Sequence, residues 1–113
     1  MDVLERLILR RAERQLDGLI EAGERIVEFD NGTTPNGQKV QCVASTLALY
    51  VAVPGGQTAR FPYGEVAEAR SRSFWLSLEL FSGAELLIDF RGSHRGLAGV
   101  VVEQCRPAVL QRA

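Results

Sequence analysis

Leu47-Ala48-Leu49-Tyr50-Val51-Ala52-Val53-Pro54-Gly55-Gly56-Gln57-Thr58-Ala59-Arg60-Phe61-Pro62 is the stretch that decides the fold of this chain. Leu47, Leu49, Val51 and Val53 recur at every second position, the period of a strand with one face on a core. Pro54-Gly55-Gly56-Gln57 supplies the turn chemistry of a hairpin. The returning strand, residues 58–62, carries a proline, which removes a ladder donor and confines the strand to an edge or an end.

The same alternation spreads in both directions. Toward the C-terminus, Tyr63-Gly64-Glu65 forms a bend and residues 66–73 a weaker strand. Residues 74–81 follow with Leu76, Leu78 and Leu80 on one face. Ser82-Gly83-Ala84 then turns into residues 85–91, where Leu86, Ile88 and Phe90 alternate. Toward the N-terminus, Ser45-Thr46 turns back into residues 38–44, with Val40, Cys42 and Ala44 on one face. The turn-forming run 31–37 separates that strand from a first one at 24–30, where Val27 and Phe29 alternate.

Two helical patterns flank the strands. Between Asp2 and Ala22, Leu4, Ile8, Ala12, Leu16 and Leu19 recur at spacings of four and three. Asp2, Arg6, Arg10, Glu13, Asp17 and Glu21 fall on the opposite side, and Gly23 ends the helix. Near the C-terminus Gly92 breaks the strand pattern, Ser93 is placed to cap a helix, and Leu97, Val101 and Cys105 share one face. Val100-Val101-Val102 and two glycines make an eighth strand the competing reading; the helix is expected to end or kink near Pro107. The expectation is one α+β domain over residues 1–113. It comprises an N-terminal amphipathic helix (1–23), about seven antiparallel strands curling into a barrel or two packed sheets, a closing C-terminal helix (24–106 in all) and a tail (107–113).

Charge and composition narrow the function classes. Thirteen basic against fourteen acidic residues leave a net charge of −1, without the positive excess that phosphate neutralisation demands of a nucleic-acid module. No apolar run is long enough to span a bilayer and no signal-peptide pattern opens the chain, so a cytoplasmic protein is expected. Cys42 and Cys105 lack metal-type spacing. His94 has no neighbouring nucleophile or orienting carboxylate, Glu79 and Asp89 fall on outward strand positions, and the run 92–96 lacks phosphate-loop spacing. No catalytic, metal or cofactor-binding residue is assigned, and a small enzyme on a cone-shaped α+β fold is the least favoured reading.

Surface features carry the remaining expectations. With Leu76, Leu78 and Leu80 inside, Trp75 and Phe81 point outward and require a cover. The wide apolar face of the first helix is the natural one, on its own sheet or on a second copy; Leu4, Ile8, Leu16, Trp75 and Phe81 form the candidate partner surface. Arg70, Arg72, Arg91 and Arg95 lie at strand ends and form a candidate anion-binding rim, or a solvated surface partly paired to Glu65, Glu68 and Glu85.

The run Thr46-Leu47-Ala48-Leu49-Tyr50-Val51-Ala52-Val53-Pro54, the segment Arg60-Phe61-Pro62-Tyr63-Gly64-Glu65-Val66 and the strand Leu86-Leu87-Ile88-Asp89-Phe90 before the last helix resemble the pleckstrin-homology-like barrels of bacterial proteins. The similarity covers residues 24–106 and rests on packing and turn patterns, including the Pro-Tyr-x-x-Val step into the second sheet. It implies a scaffold that binds lipids, peptides or neighbouring subunits. Phosphoinositide-binding members use a basic loop between the first two strands; here that loop has Asp30 before it and one basic residue, Lys39, at its far edge. The expected function is a non-enzymatic interaction module that self-associates or binds a protein partner, with a peripheral membrane or lipid-binding module as the alternative.

Overall fold

Seven strands form where apolar residues alternate. They are β1 (Ile26–Thr33), β2 (Lys39–Ser45), β3 (Ala48–Ala52), β4 (Thr58–Pro62), β5 (Val66–Arg72), β6 (Trp75–Leu80) and β7 (Glu85–Asp89). Every pairing among them is antiparallel; sequence neighbours pair except β4 with β5, and β1 also pairs with β7. A 3-10 turn (Tyr63–Glu65) joins β4 to β5, and one helix, α1 (Leu97–Arg112), follows β7. The computed structural model describes residues 3, 16, 18–91 and 96–112, with the backbone alone for 107–112.

The strands form one sheet in the order β4-β3-β2-β1-β7-β6-β5. The expectation of a barrel or two packed sheets is met in part: all seven strands are antiparallel, but they form one sheet that does not close. The two halves are joined through a single pair, Thr33 with Asp89. The strands at the ends, β4 and β5, each have one neighbour, so the sheet bends around a core without closing.

Gly32 shows why β1 can reach β7. The turn-rich run 31–37 is expected to be a loop, yet Asn31, Gly32 and Thr33 belong to β1. A Cβ at residue 32 would collide with the Ile88 side chain and lie 3.0 Å from the Phe90 ring. Only glycine lets the strand pass this close to β7. A bulge between Ile26 and Glu28 moves Val27 to the surface, and Phe29, paired with Val43, turns to the outer face of the sheet.

Inside the curve lies the main core: Val40, Cys42, Ala44, Leu49, Val51, Tyr63, Val66, Leu76, Leu78, Ile88 and Phe90 from the strands and their connections. α1 adds Leu97, Ala98, Val101 and Cys105, packing against β5, the 3-10 turn, β1 and β2. The valine run 100–102 is therefore helical, because its i, i+4 spacing buries Leu97, Val101 and Cys105 together. The helix runs on through Pro107 to Arg112, past the position where an end or a kink is expected; proline's fixed φ is a helical value and forfeits one backbone bond.

A second cluster covers the outer face. Leu16, Phe29, Val43, Ala48 and Tyr50 are buried together there, with Ile20 and Ile26 against them. All five residues of β3 are consequently buried. Most of the expected first helix, including Leu4 and Ile8, lies outside the described residues, as do Ser93, His94 and Arg95. Its expected end is corrected: residues 18–23 form turns, with Gly18 at φ 83° and Gly23 at φ 81°. Left-handed backbone of this kind ends a helix, and glycine adopts it without steric cost.

Replacing Gly32 by Ala forces the Ile88 and Phe90 side chains off their positions. The expected loss is about 1–3 kcal/mol of unfolding free energy, the usual range for overpacking a core, read from the urea midpoint; an unchanged midpoint contradicts the close approach.

Candidate functional site

Two features stand out once the fold is laid down: a buried polar network on the outer face of β3 and β4, and an apolar mouth at the hairpin end of the inner face.

The network is built around Glu24, whose side chain is fully buried. Its Oε2 accepts hydrogen bonds from the Ser45 hydroxyl and, at 2.6 Å, from the Tyr50 hydroxyl; its Oε1 accepts one from the Glu21 amide at 2.9 Å. Arg60 donates from Nε to the Tyr50 hydroxyl at 3.0 Å and lies 3.5 Å from Glu24 Oε1. Its guanidinium also sits 3.6 Å from the exposed Glu21 carboxylate and 5.7 Å from the centre of the Tyr50 ring. Ser45 Oγ further accepts the Leu47 and Ala48 amides, shaping the β2–β3 turn, and the Tyr63 hydroxyl donates to the Ser45 carbonyl at 2.7 Å.

Burial pushes the Glu24 carboxyl up. The hydrogen bonds from Ser45, Tyr50 and the Glu21 amide, with the Arg60 charge, outweigh it and hold the group below its ordinary 4.5. Burial and the neighbouring Glu24 raise Tyr50. Burial, helped by Asp30, pushes the Cys42 thiol up to about 12 and leaves it unreactive at neutral pH. No buried side-chain polar atom among the described residues lacks a partner, so the network reads as a structural clasp.

The mouth is the candidate binding site. It has a volume of about 610 Å³ and lies between the β1–β2 turn, the end of the β3–β4 hairpin and the start of β7. Its floor is aliphatic and aromatic: Val40, Val51, Val53, Phe61 and Leu86, inward residues, with no described side chain of α1 in the lining. Its rim carries Thr34, Asn36, Gln38, Gln57, Thr58 and Glu85. Neutral hydrogen-bonding groups and one carboxylate thus surround an apolar floor, and among the described residues no lysine or arginine lines it. The size falls in the range of ligand pockets, roughly 300–1,000 Å³. The opening exists because of Ala59. It pairs with Val51 and so shares the inward face, but its side chain is too short to fill the space.

The residues singled out from the sequence are dispersed. Leu16 is 1% exposed and packs on its own sheet against Phe29, Val43 and Tyr50, away from any open surface. Trp75 is half-buried at the start of β6, and Phe81 is 61% exposed just past its end, so roughly 20 Å of strand separates them. Leu4 and Ile8 lie outside the described residues. Of the arginines, Arg70 pairs with Glu68 at 2.7 Å and Arg91 with Asp89 at 3.7 Å. Arg72 is opposite Trp75, which is opposite Asp89, so Arg72 and Arg91 share one end of the sheet. Arg95 lies outside the described residues. Among the described residues no cluster of three metal-ligating side chains occurs, and no helix is long and apolar enough to cross a membrane.

No protein-family model matches the chain, and no curated protein matches it. Solved structures do. The FERM and C-terminal domain complex of Drosophila Merlin aligns with a TM-score of 0.59 at 11% identity, over 76% of this chain and 30% of that one. This chain therefore spans less than a third of the Merlin chain. The hSac2 domain from human phosphoinositide phosphatase Sac2 aligns at 0.57 and 10% identity, over 100% and 87% of the two chains. A DUF1696 family protein with a pleckstrin-homology domain from Shewanella loihica PV-4 aligns at 0.54 and 13%, over 89% and 92%. Similarity at these identities concerns the fold, which is pleckstrin-homology-like.

The clasp has two measurable consequences. Tyr50→Phe leaves a buried carboxylate one hydrogen bond short and is expected to cost about 1.5–3 kcal/mol in denaturant unfolding. Because folding lowers the Glu24 carboxyl, its contribution is complete above the unfolded value of 4.5 and is lost as pH falls through the lower folded value. The stability difference between the native chain and Glu24→Gln is therefore expected to stay level near neutrality and shrink below pH 4.5. A difference independent of pH contradicts the paired carboxylate.

Proposed function

We propose that this chain is a non-enzymatic interaction module whose mouth receives an apolar segment of a protein partner. The observation that carries the reading is the mouth itself: an aliphatic floor of about 610 Å³ left open in a sheet whose other end is filled by α1. The pleckstrin-homology-like fold supports it as a scaffold for protein or lipid contacts, and the lining supports the protein over the phosphate. An anionic headgroup at this rim would meet Glu85 and, among the described lining residues, no cation. Among the described lining residues Glu85 is the one titratable side chain, which makes no acid–base pair.

A second reading, docking on an anionic membrane, draws on Phe74. It is 50% exposed at the β5–β6 hairpin, beside Arg72 and Arg91. Arg91 is paired to Asp89, which weakens the attraction to lipid, and the mouth lies elsewhere. A second copy of the chain is the remaining occupant; light scattering at micromolar concentration reads it directly.

The test is a selection of displayed random seven-residue peptides on the full chain, followed by methyl NMR with the synthetic winners. Winners are expected to shift the Val40, Val51, Val53 and Leu86 methyls, and Ala59→Phe, which fills the mouth, is expected to weaken them at least about tenfold. Shifts confined to α1, or an Ala59→Phe chain that binds as the native one does, refute the mouth as the site.

A further inference from the structure

The wall of the mouth is also an edge of the sheet. Among the described residues β4 pairs with β3 alone, and the register runs without a bulge from Ala52 with Thr58 to Ala48 with Pro62. Two bonds bracket this ladder: the Val53 amide donates to the Gln57 carbonyl at 3.2 Å and the Tyr63 amide to the Leu47 carbonyl at 3.0 Å. In an antiparallel pair, hydrogen-bonded positions alternate. Residues 57, 59, 61 and 63 therefore face β3, while Thr58 and Arg60 direct both backbone groups away from it. Pro62 contributes a carbonyl and has no amide to offer.

Side chains alternate the opposite way across the strand. Ala59 and Phe61 lie on the face of Val51 and Leu49, toward the mouth. Arg60, opposite Tyr50, lies on the outer face and is held there by Glu24 and Tyr50. The edge is thus fixed from outside by the clasp. Its free backbone groups run alongside the aliphatic floor, over a length of five residues that the hairpin turn and Pro62 delimit.

Resting on the reading of the mouth as the binding site, we infer that the partner segment binds as an added strand. An extended peptide of about five residues pairs with the Thr58 and Arg60 backbone groups and lowers one apolar side chain onto Val51, Val53, Phe61 and Leu86. Main-chain bonds give such complexes affinity, and the pocket beside the edge gives them selectivity. Glu85, the charged member of the lining, sets the charge preference: neutral or basic residues flank the apolar anchor, and acidic ones are rejected. The edge is the kind of surface that invites pairing by any strand, and its short length and terminal proline keep it from extending into a fibre.

The experiment uses the full chain and the selected seven-residue peptides, with affinities read by fluorescence polarisation. N-methylation is scanned along each winner. Loss of binding at alternate residues, about tenfold or more for each bond removed, is expected for an added strand. Thr58→Pro removes an outward amide and spares the ladder to β3; it is expected to weaken the same peptides by about tenfold. Glu85→Lys is expected to move the selected flanks from basic to acidic. Binding that Ala59→Phe abolishes but neither N-methylation nor Thr58→Pro changes overturns strand addition while the mouth stands. Failure to recover any peptide above background overturns both. A chain that self-associates until Thr58→Pro is introduced assigns the edge to a second copy and overturns the proposal too.

Discussion

A carboxylate with no access to water, Glu24, is the interaction on which the rest of this molecule leans. A buried charge is tolerated only when it is paired and fully hydrogen-bonded, and here four segments must converge to satisfy it. The 21–24 turn supplies an amide, the end of β2 supplies Ser45, β3 supplies Tyr50 and β4 supplies Arg60. None of these groups can leave without stranding the others. The clasp therefore fixes where β4, an edge strand with one neighbour, lies in space.

The consequence is a division of labour between the two faces. Outside, Leu16 and Ile20 cover Phe29, Val43 and Tyr50, and the clasp seals the border of that cluster. Inside, α1 fills one end of the curve with Leu97, Val101 and Cys105. Among the described residues no helix lines the other end. Val53, Phe61 and Leu86 remain partly buried there, and Ala59 leaves the space between them open. An edge held rigidly from one side and an apolar floor left uncovered on the other are the two halves of a recognition surface, since a preorganised strand loses little conformational freedom when a partner pairs with it.

Much of this is legible in the residues and some is not. Period-two alternation gave the seven strands, and the i, i+4 spacing of Leu97, Val101 and Cys105 gave the last helix, because both patterns are local. The run 47–53 also carries a second signal: it contains no charged residue, and a strand apolar at every position is buried on both faces. The outer cluster follows from that. The Glu24–Arg60 pairing is different, since 36 residues separate the partners and nothing in the spacing joins them. The continuation of β1 through Gly32 was hidden because the same glycine suits a loop and a close strand crossing. The mouth is illegible for a deeper reason: its lining comes from residues 34–40, 51–61 and 85–87, and only the three-dimensional path of the chain brings these together.

Residue-by-residue amide hydrogen exchange on the free chain tests the central claim, an unpaired β4 edge beside the mouth. Thr58 and Arg60 are expected to exchange at nearly the rates of unstructured peptide, while Ala59 and Phe61 between and beside them are protected by the ladder to β3. Equal protection at all four amides would mean that something already covers the edge, and the site described here would not exist.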